Sequence, residues 1–234
     1  MRSVAIILAF IVALTSFACS GDPVTTPAPT QVPVSSVTVA GTVWLHDTGG
    51  VKPYANVQVI AYVETGHSGQ FTAPISSGPD GRYSFTVPTG ALVRVYTGSL
   101  PSYQPCVTAI AATGNTNLDV HIVDPAQLGA HLPSELLNDT PTLSGTVFET
   151  TALGRQPVPD VRVQLDMFRG LGDVSAQTLT DSDGRYVLCG LGGAATGFFD
   201  WPPYVYALKS GYKSADVGTV QVNGNTIRDI ELQR

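Results

Sequence analysis

The chain is poor in charge. Only 13% of its 234 residues are Asp, Glu, Lys or Arg, and its 12 Lys and Arg are scattered rather than clustered. No stripe of cations exists to follow a phosphate backbone, so nucleic acid is excluded as a partner. Long segments with a 3.6-residue apolar period are missing, which excludes a helical bundle. The apolar run Val4–Leu14 is too short to span a bilayer comfortably. Histidine is scarce: His46, His67, His121 and His131 stand singly, whereas a zinc site needs three or four converging ligands. What is abundant is punctuation. The 24 Gly and 17 Pro suit many short strands joined by turns.

The strands come in two copies. Val39-Ala40-Gly41-Thr42-Val43 returns as Leu143-Ser144-Gly145-Thr146-Val147, and Pro53, Val57 and Val59 return as Pro157, Val161 and Val163, both at a shift of 104. Asp80-Gly81-Arg82-Tyr83 returns as Asp183-Gly184-Arg185-Tyr186 at a shift of 103. Gly114-Asn115-Thr116 with Asp119 to Ile122 returns as Gly224-Asn225-Thr226 with Asp229 to Leu232 at a shift of 110. Ordered matches over such a period mean two modules, each with its own core. Alternation of period two, as in Val57, Val59 and Ala61 or Tyr83, Phe85 and Val87, marks half-buried strands. The reading is all-β: two tandem seven-stranded antiparallel β-sandwiches. They cover 37–123 and 142–234, joined by a linker 124–141 that carries one short helical turn near Ser134–Leu137. Each Asp-Gly pair supplies the positive-φ turn before the tyrosine strand. Asp181-Ser182-Asp183-Gly184 is a turn rather than a calcium loop, since Arg185 and the lack of a bidentate Glu break that pattern.

Gly-x-Val opening a strand, Pro followed by alternating valines, the Asp-Gly-Arg-Tyr turn and a closing Asp-Val-x-Ile strand resemble the carboxypeptidase regulatory-like domain. The resemblance implies a transthyretin-like, Greek-key sandwich in each copy. These motifs are structural, so they speak to fold and little to activity. The wider fold group includes carbohydrate-binding-like domains, which implies a polysaccharide as the ligand class. In the namesake enzymes this domain follows a zinc-dependent catalytic domain, and no such domain is present here.

The first 18 residues read as an export signal, with Arg2 before the apolar run and small Ala18 at the cut. Ser16-Phe17-Ala18-Cys19 resembles a bacterial lipoprotein signal, although Ser16 and Phe17 depart from it. Cys19 would then carry lipid, and Ser20 after it would direct the protein to the outer membrane or cell surface. Secretion after a plain signal-peptidase cut is the alternative. Residues 19–36 form a Pro/Thr/Ser-rich stalk that cannot bury a core. Cys106 and Cys189 remain, either as a disulfide between modules or as two separate buried thiols.

Candidate chemistry is sparse. Gly66-His67-Ser68-Gly69 misplaces the second glycine of a nucleophile elbow, and Gly190-Leu191-Gly192-Gly193 lacks the helix that a dinucleotide site requires. The reading is therefore no enzyme, no cofactor and no metal. The second copy gains a loop holding Phe199, Asp200, Trp201 and, at its end, Tyr204. These residues form either a ligand platform, with Asp200 accepting hydroxyl hydrogen bonds, or a plug at the end of the sandwich. Trp44 and Phe148 oppose the inward parity of their strands in both copies. The expected role is a cell-envelope binding or spacer module, with polysaccharide or an envelope protein as partner and the membrane reached through the Cys19 lipid. The alternatives are a structural or adhesive protein, or an accessory subunit of a secreted hydrolase or uptake system.

Overall fold

The computed structural model describes residues 35–66, 68–98, 103–128, 132, 134–137, 141–166, 174–191, 203–222 and 224–234. The export signal, Cys19 and all of the stalk before Ser35 lie outside them.

In the first copy the strands are β1 (Ser36–Asp47), β2 (Gly50–Pro53), β3 (Gln58–Thr65), β4 (Ser68–Phe71), β5 (Ile75–Ser76), β6 (Arg82–Pro88), β7 (Ala91–Thr97), β8 (Ala109–Ala112), β9 (Thr116–Asn117) and β10 (Val120–Val123). One sheet is built on β1, whose first half pairs with β6 and second half with β2 on one side, and with β9 then β10 on the other. The second sheet runs β4 and β5, then β3, β7 and β8. With the collinear pieces joined, three strand positions face four. The segment 68–71 is strand because β3 offers it an edge.

The second copy repeats this plan: β11 (Leu143–Thr151), β12 (Gly154–Pro157), β13 (Arg162–Asp166), β14 (Val174–Leu179), β15 (Arg185–Leu188), β16 (Tyr204–Leu208), β17 (Ala215–Thr219), β18 (Thr226–Ile227) and β19 (Ile230–Glu231). Here β11 is flanked by β12 and β15 and by β18 and β19, and the other sheet is β14-β13-β16-β17. The fold is thus two tandem β-sandwiches. In each the pairing is antiparallel except at one place, where the first strand meets the last in parallel.

Each sandwich closes over its own core. Val39, Val43, Tyr83, Phe85 and Val120 face Val59, Ala61, Val93 and Val95 in the first. Leu143, Val147, Tyr186, Leu188 and Ile230 face Val163, Leu165, Val205 and Ala207 in the second. Burial of each such aliphatic side chain stabilises by about 1.5–3 kcal/mol. A third cluster lies between them: Tyr103, Val123, Leu128, Leu132, Leu136 and Cys189. The linker therefore contributes packed residues, Leu128, Leu132 and Leu136, with a 3-10 turn at Pro125–Gln127 and a helical turn at Ser134–Leu137.

The repeated residues build one lock twice. Gly41 and Gly145 leave room for a crossing carbonyl, that of Leu118 or Arg228, and a methyl group at either glycine would overlap it. The same carbonyl accepts from a core tyrosine: Tyr83 Oη donates to Leu118 O, and Tyr186 Oη donates to Arg228 O at 2.6 Å. The next residue turns its carboxylate back, so Asp119 accepts from Thr42 N at 2.8 Å and Asp229 from Thr146 N at 3.0 Å. Burial, then the nearby Asp119 or Asp229 carboxylate, pushes both phenols well above the ordinary tyrosine range. Gly81 and Gly184 turn at positive φ, and their carbonyls accept from Val43 N and Val147 N.

Candidate functional site

The outward face of the β14-β13-β16-β17 sheet carries the polar and aromatic residues of the second module. Strand alternation sends Val163, Leu165, Val205 and Ala207 inward and Arg162, Gln164, Tyr204, Tyr206 and Leu208 outward. The Tyr204 and Tyr206 rings lie 4.8 Å apart, and Tyr204 Oη donates to Asp216 Oδ2 at 2.6 Å. Gln164 and Gln177 are joined across the β13–β14 pair by a 3.2 Å amide hydrogen bond. Tyr204, expected at the end of the aromatic loop, is thus on this face and half-buried. Phe199, Asp200 and Trp201, expected beside it, lie outside the described residues.

One end of the face is walled by the first module. Residues 103–108 leave the first sandwich as a strap. Tyr103 exchanges backbone hydrogen bonds with Val123, Gln104 O accepts from Gln177 N on β14, and the backbone of Cys189 is held between Pro105 O and Val107 N. Cys106 and Cys189 form a disulfide with Cα atoms 4.3 Å apart. Val107 packs into the second core. The strap carries it across because the open edge of β14 needs a backbone partner. Gln104, 9% exposed, anchors the other side by donating to Val95 O at 3.0 Å.

Between strap and sheet lies a cleft of about 570 Å³. Its floor is the rung Leu179–Arg162–Leu208. Tyr103 closes one side, and Asp160, Lys209, Ser210 and Tyr212 close the other. Lys209 Nζ donates to Pro159 O at 2.7 Å, which fixes the ammonium at the rim. The Arg162 guanidinium lies 5.9 Å from the Tyr103 ring centroid, at the outer limit of a cation–π contact.

Other sequence readings resolve differently. His46 and His121, expected to stand singly, are hydrogen-bonded across β1 and β10 at 2.8 Å, because the parallel pairing of first and last strands brings them to one face. Two imidazoles fall short of a metal centre, and no group of three or more His, Cys, Asp or Glu converges among the described residues. Asp181 uses its carboxylate on Asp183 N and Arg185 N, as a turn requires. The outward aromatics have partners: Trp44 Nε1 donates to Asp119 Oδ2 at 3.1 Å, and Arg155 lies 3.6 Å over the Phe148 ring.

Sequence reasoning missed Tyr103, Gln104, Arg162 and Lys209 altogether. No repeat marks them, since the strap and cleft exist once. It also missed Ser77 and Thr180, whose hydroxyls each bridge two buried backbone groups at equivalent places. A Ser aligned with a Thr at the shift of 103 was the available signal.

The site and sheets define a two-module β-sandwich protein with one polar, tyrosine-bearing face at a covalently closed junction. No family model matches the chain. No curated protein matches it in sequence. Among solved structures it is similar to the shaft pilin SpaA of Lactobacillus rhamnosus GG, at 12% identity and a TM-score of 0.31, over 85% of this chain and 98% of that one. It is similar to a minor pilin of Streptococcus agalactiae at 10% identity and a TM-score of 0.30, over 85% and 96%. The Bacillus anthracis TIE protein matches at 11% identity and a TM-score of 0.30, over 84% of this chain and 34% of that one. Likeness at this level does not carry function across, and the fold stands on the sheets and cores described above.

Proposed function

We propose that the chain is a non-enzymatic spacer and binding module of the cell envelope. Two carboxypeptidase regulatory-like sandwiches would be presented on the 19–36 stalk, tied to the membrane by lipid on Cys19. The observation that carries this reading is the clasp between modules: a disulfide, a bridging backbone and a shared apolar cluster. Such a disulfide requires an oxidising compartment, in keeping with an export signal. It also reroutes load. Tension between the stalk and Arg234 passes from Cys106 directly to Cys189, so the intervening 83-residue separation is spared extension.

Pulling the full chain by its two ends tests this. The oxidised chain should unfold to a contour length about 280 Å shorter than the reduced chain, at about 3.4 Å per residue. Equal lengths would remove the load-bearing role. A second reading, glycan recognition, is supported by the tyrosine pair and amide rung of the outward face. Loss of polysaccharide binding in a folded Tyr204→Ala variant would uphold it.

A further inference from the structure

We infer that the cleft at the module junction binds an acidic saccharide, a sugar chain whose units carry ring carboxylates. This deepens the reading of the chain as an envelope binding module and rests on it.

The cleft is built in advance. Its Tyr103 wall is 7% exposed, is paired to Val123 by two backbone hydrogen bonds, and lies three residues before the cystine. A site held open this way loses little conformational freedom on binding. Its volume of about 570 Å³ falls in the range of small-ligand sites. Its charge runs against that of the molecule. The chain has 12 cations to 18 acids, yet Arg162 and Lys209 meet here with Asp160 alone opposing them. A guanidinium presents a planar fork that fits a carboxylate through two parallel hydrogen bonds. Lys209, with one N–H committed to Pro159 O, keeps two for a ligand. The rest of the lining suits a sugar ring. Ser210 and Ser214 offer hydroxyls, and the Asp160 carboxylate an acceptor for ring hydroxyls, beside the Tyr212 ring. A bare phosphate would be repelled by Asp160, whereas a hydroxylated ring uses it.

The probe is trigalacturonate, set against its fully methyl-esterified form, which has the same rings without the charge. Calorimetric titration of the oxidised full chain should show the acid binding about tenfold more tightly than the ester at low salt. The gap should narrow near 0.5 M salt as the pairing is screened. Arg162→Gln should abolish the gap, Lys209→Gln should reduce it about threefold, and Arg82→Gln, which removes an exposed cation of the first module, should leave it in place. Acid and ester binding alike, or a gap that survives Arg162→Gln, would overturn the proposal. So would acetate at equal carboxylate concentration displacing the acid, which would make the cleft a general anion spot. If neither saccharide binds while the pulled chain still shows the disulfide-limited length, the ligand class fails and the spacer reading stands.

Discussion

The two sandwiches use one interior and two exteriors. At the crossings and turns, Gly41, Tyr83, Asp119, Ser77 and Asn56 do in the first what Gly145, Tyr186, Asp229, Thr180 and Asp160 do in the second. At the outer surface of the first strand the same need is met in two ways. Trp44 carries its own donor and reaches the Asp119 carboxylate at 3.1 Å. Phe148 has no donor, and Arg155 from β12 supplies one instead, lying over the ring and 3.8 Å from Asp229 Oδ2. The position of Arg155 is held in the first copy by Val51, which is half-exposed and has no such task. Charge and ring have been exchanged as a pair.

The four-stranded sheets diverge further. In the first module the outward position next to Tyr62 is Arg94, only 1% exposed, with burial lowering its guanidinium pKa and Tyr96 and Glu64 opposing that shift. Phe71 packs edge-on to Tyr62 at 5.0 Å. That face is closed around a cation. Its counterpart in the second module places Tyr204 opposite Asp166 and Gln164 opposite Tyr206, and gives Arg162 to the junction cleft. The difference teaches where this architecture stores identity and where it stores specificity. Residues that cross between strands are repeated, and residues of outward parity are free to differ.

The largest test of the comparison is the clasp. Cys106→Ser should cost about 4.5 kcal/mol, the loop-closure value for a bridge of this span. The loss should fall on the second module, because Val107 belongs to its core and Gln104 to its β14 edge. Hydrogen exchange should therefore quicken in β13 and β14 before β3 and β7. Uniform loss in both modules would mean that the strap serves them equally. Next in size is the glycine of the lock. Gly41→Ala and Gly145→Ala should each cost about 3 kcal/mol or more, since the overlapped atom is a backbone carbonyl that cannot rotate away. Urea unfolding of each variant checks this, and a neutral substitution in either copy would show that the two locks are not equivalent.

Much of this interior was legible in the sequence. Period-two alternation named Val39, Val59, Tyr83 and their counterparts as inward, and the Asp-Gly pairs named the turns. The parallel pairing of first and last strands was not legible, because alternation carries no information on strand direction; with it went the meeting of His46 and His121. The 68–71 strand was hidden by Gly69 and polar Ser68 and Gln70, since an edge strand with both faces exposed shows no pattern. The cleft was hidden for a different reason. Tyr103 and Arg162 are 59 positions apart in the chain and are joined only by the strap, whose path depends on an edge that exists after folding.

The smallest expected effect tests the equivalence of the locks by pH. Both buried phenols have raised pKa values in the folded chain, against an ordinary value of 10.0. The unfolded chain therefore releases these protons first. The stability they contribute is whole below pH 10 and is lost as pH climbs above it, by up to about 1.4 kcal/mol per pH unit for each phenol. Tyr83→Phe and Tyr186→Phe should each remove half of that alkaline slope, at a cost near neutral pH of about 1 kcal/mol for the lost hydrogen bond to Leu118 O or Arg228 O. The halves should be equal. Burial is the main cause in both copies and the Asp119 or Asp229 carboxylate adds to it, while Arg228 pulls the other way in the second alone. Both phenols stay protonated in the folded chain through the range where an unfolded phenol titrates, so denaturant unfolding of the two variants between pH 9 and 11 should show the same gain. A smaller gain in Tyr186→Phe would mean that Arg228 brings that phenol down into the range, and that the two locks are alike in shape but not in charge.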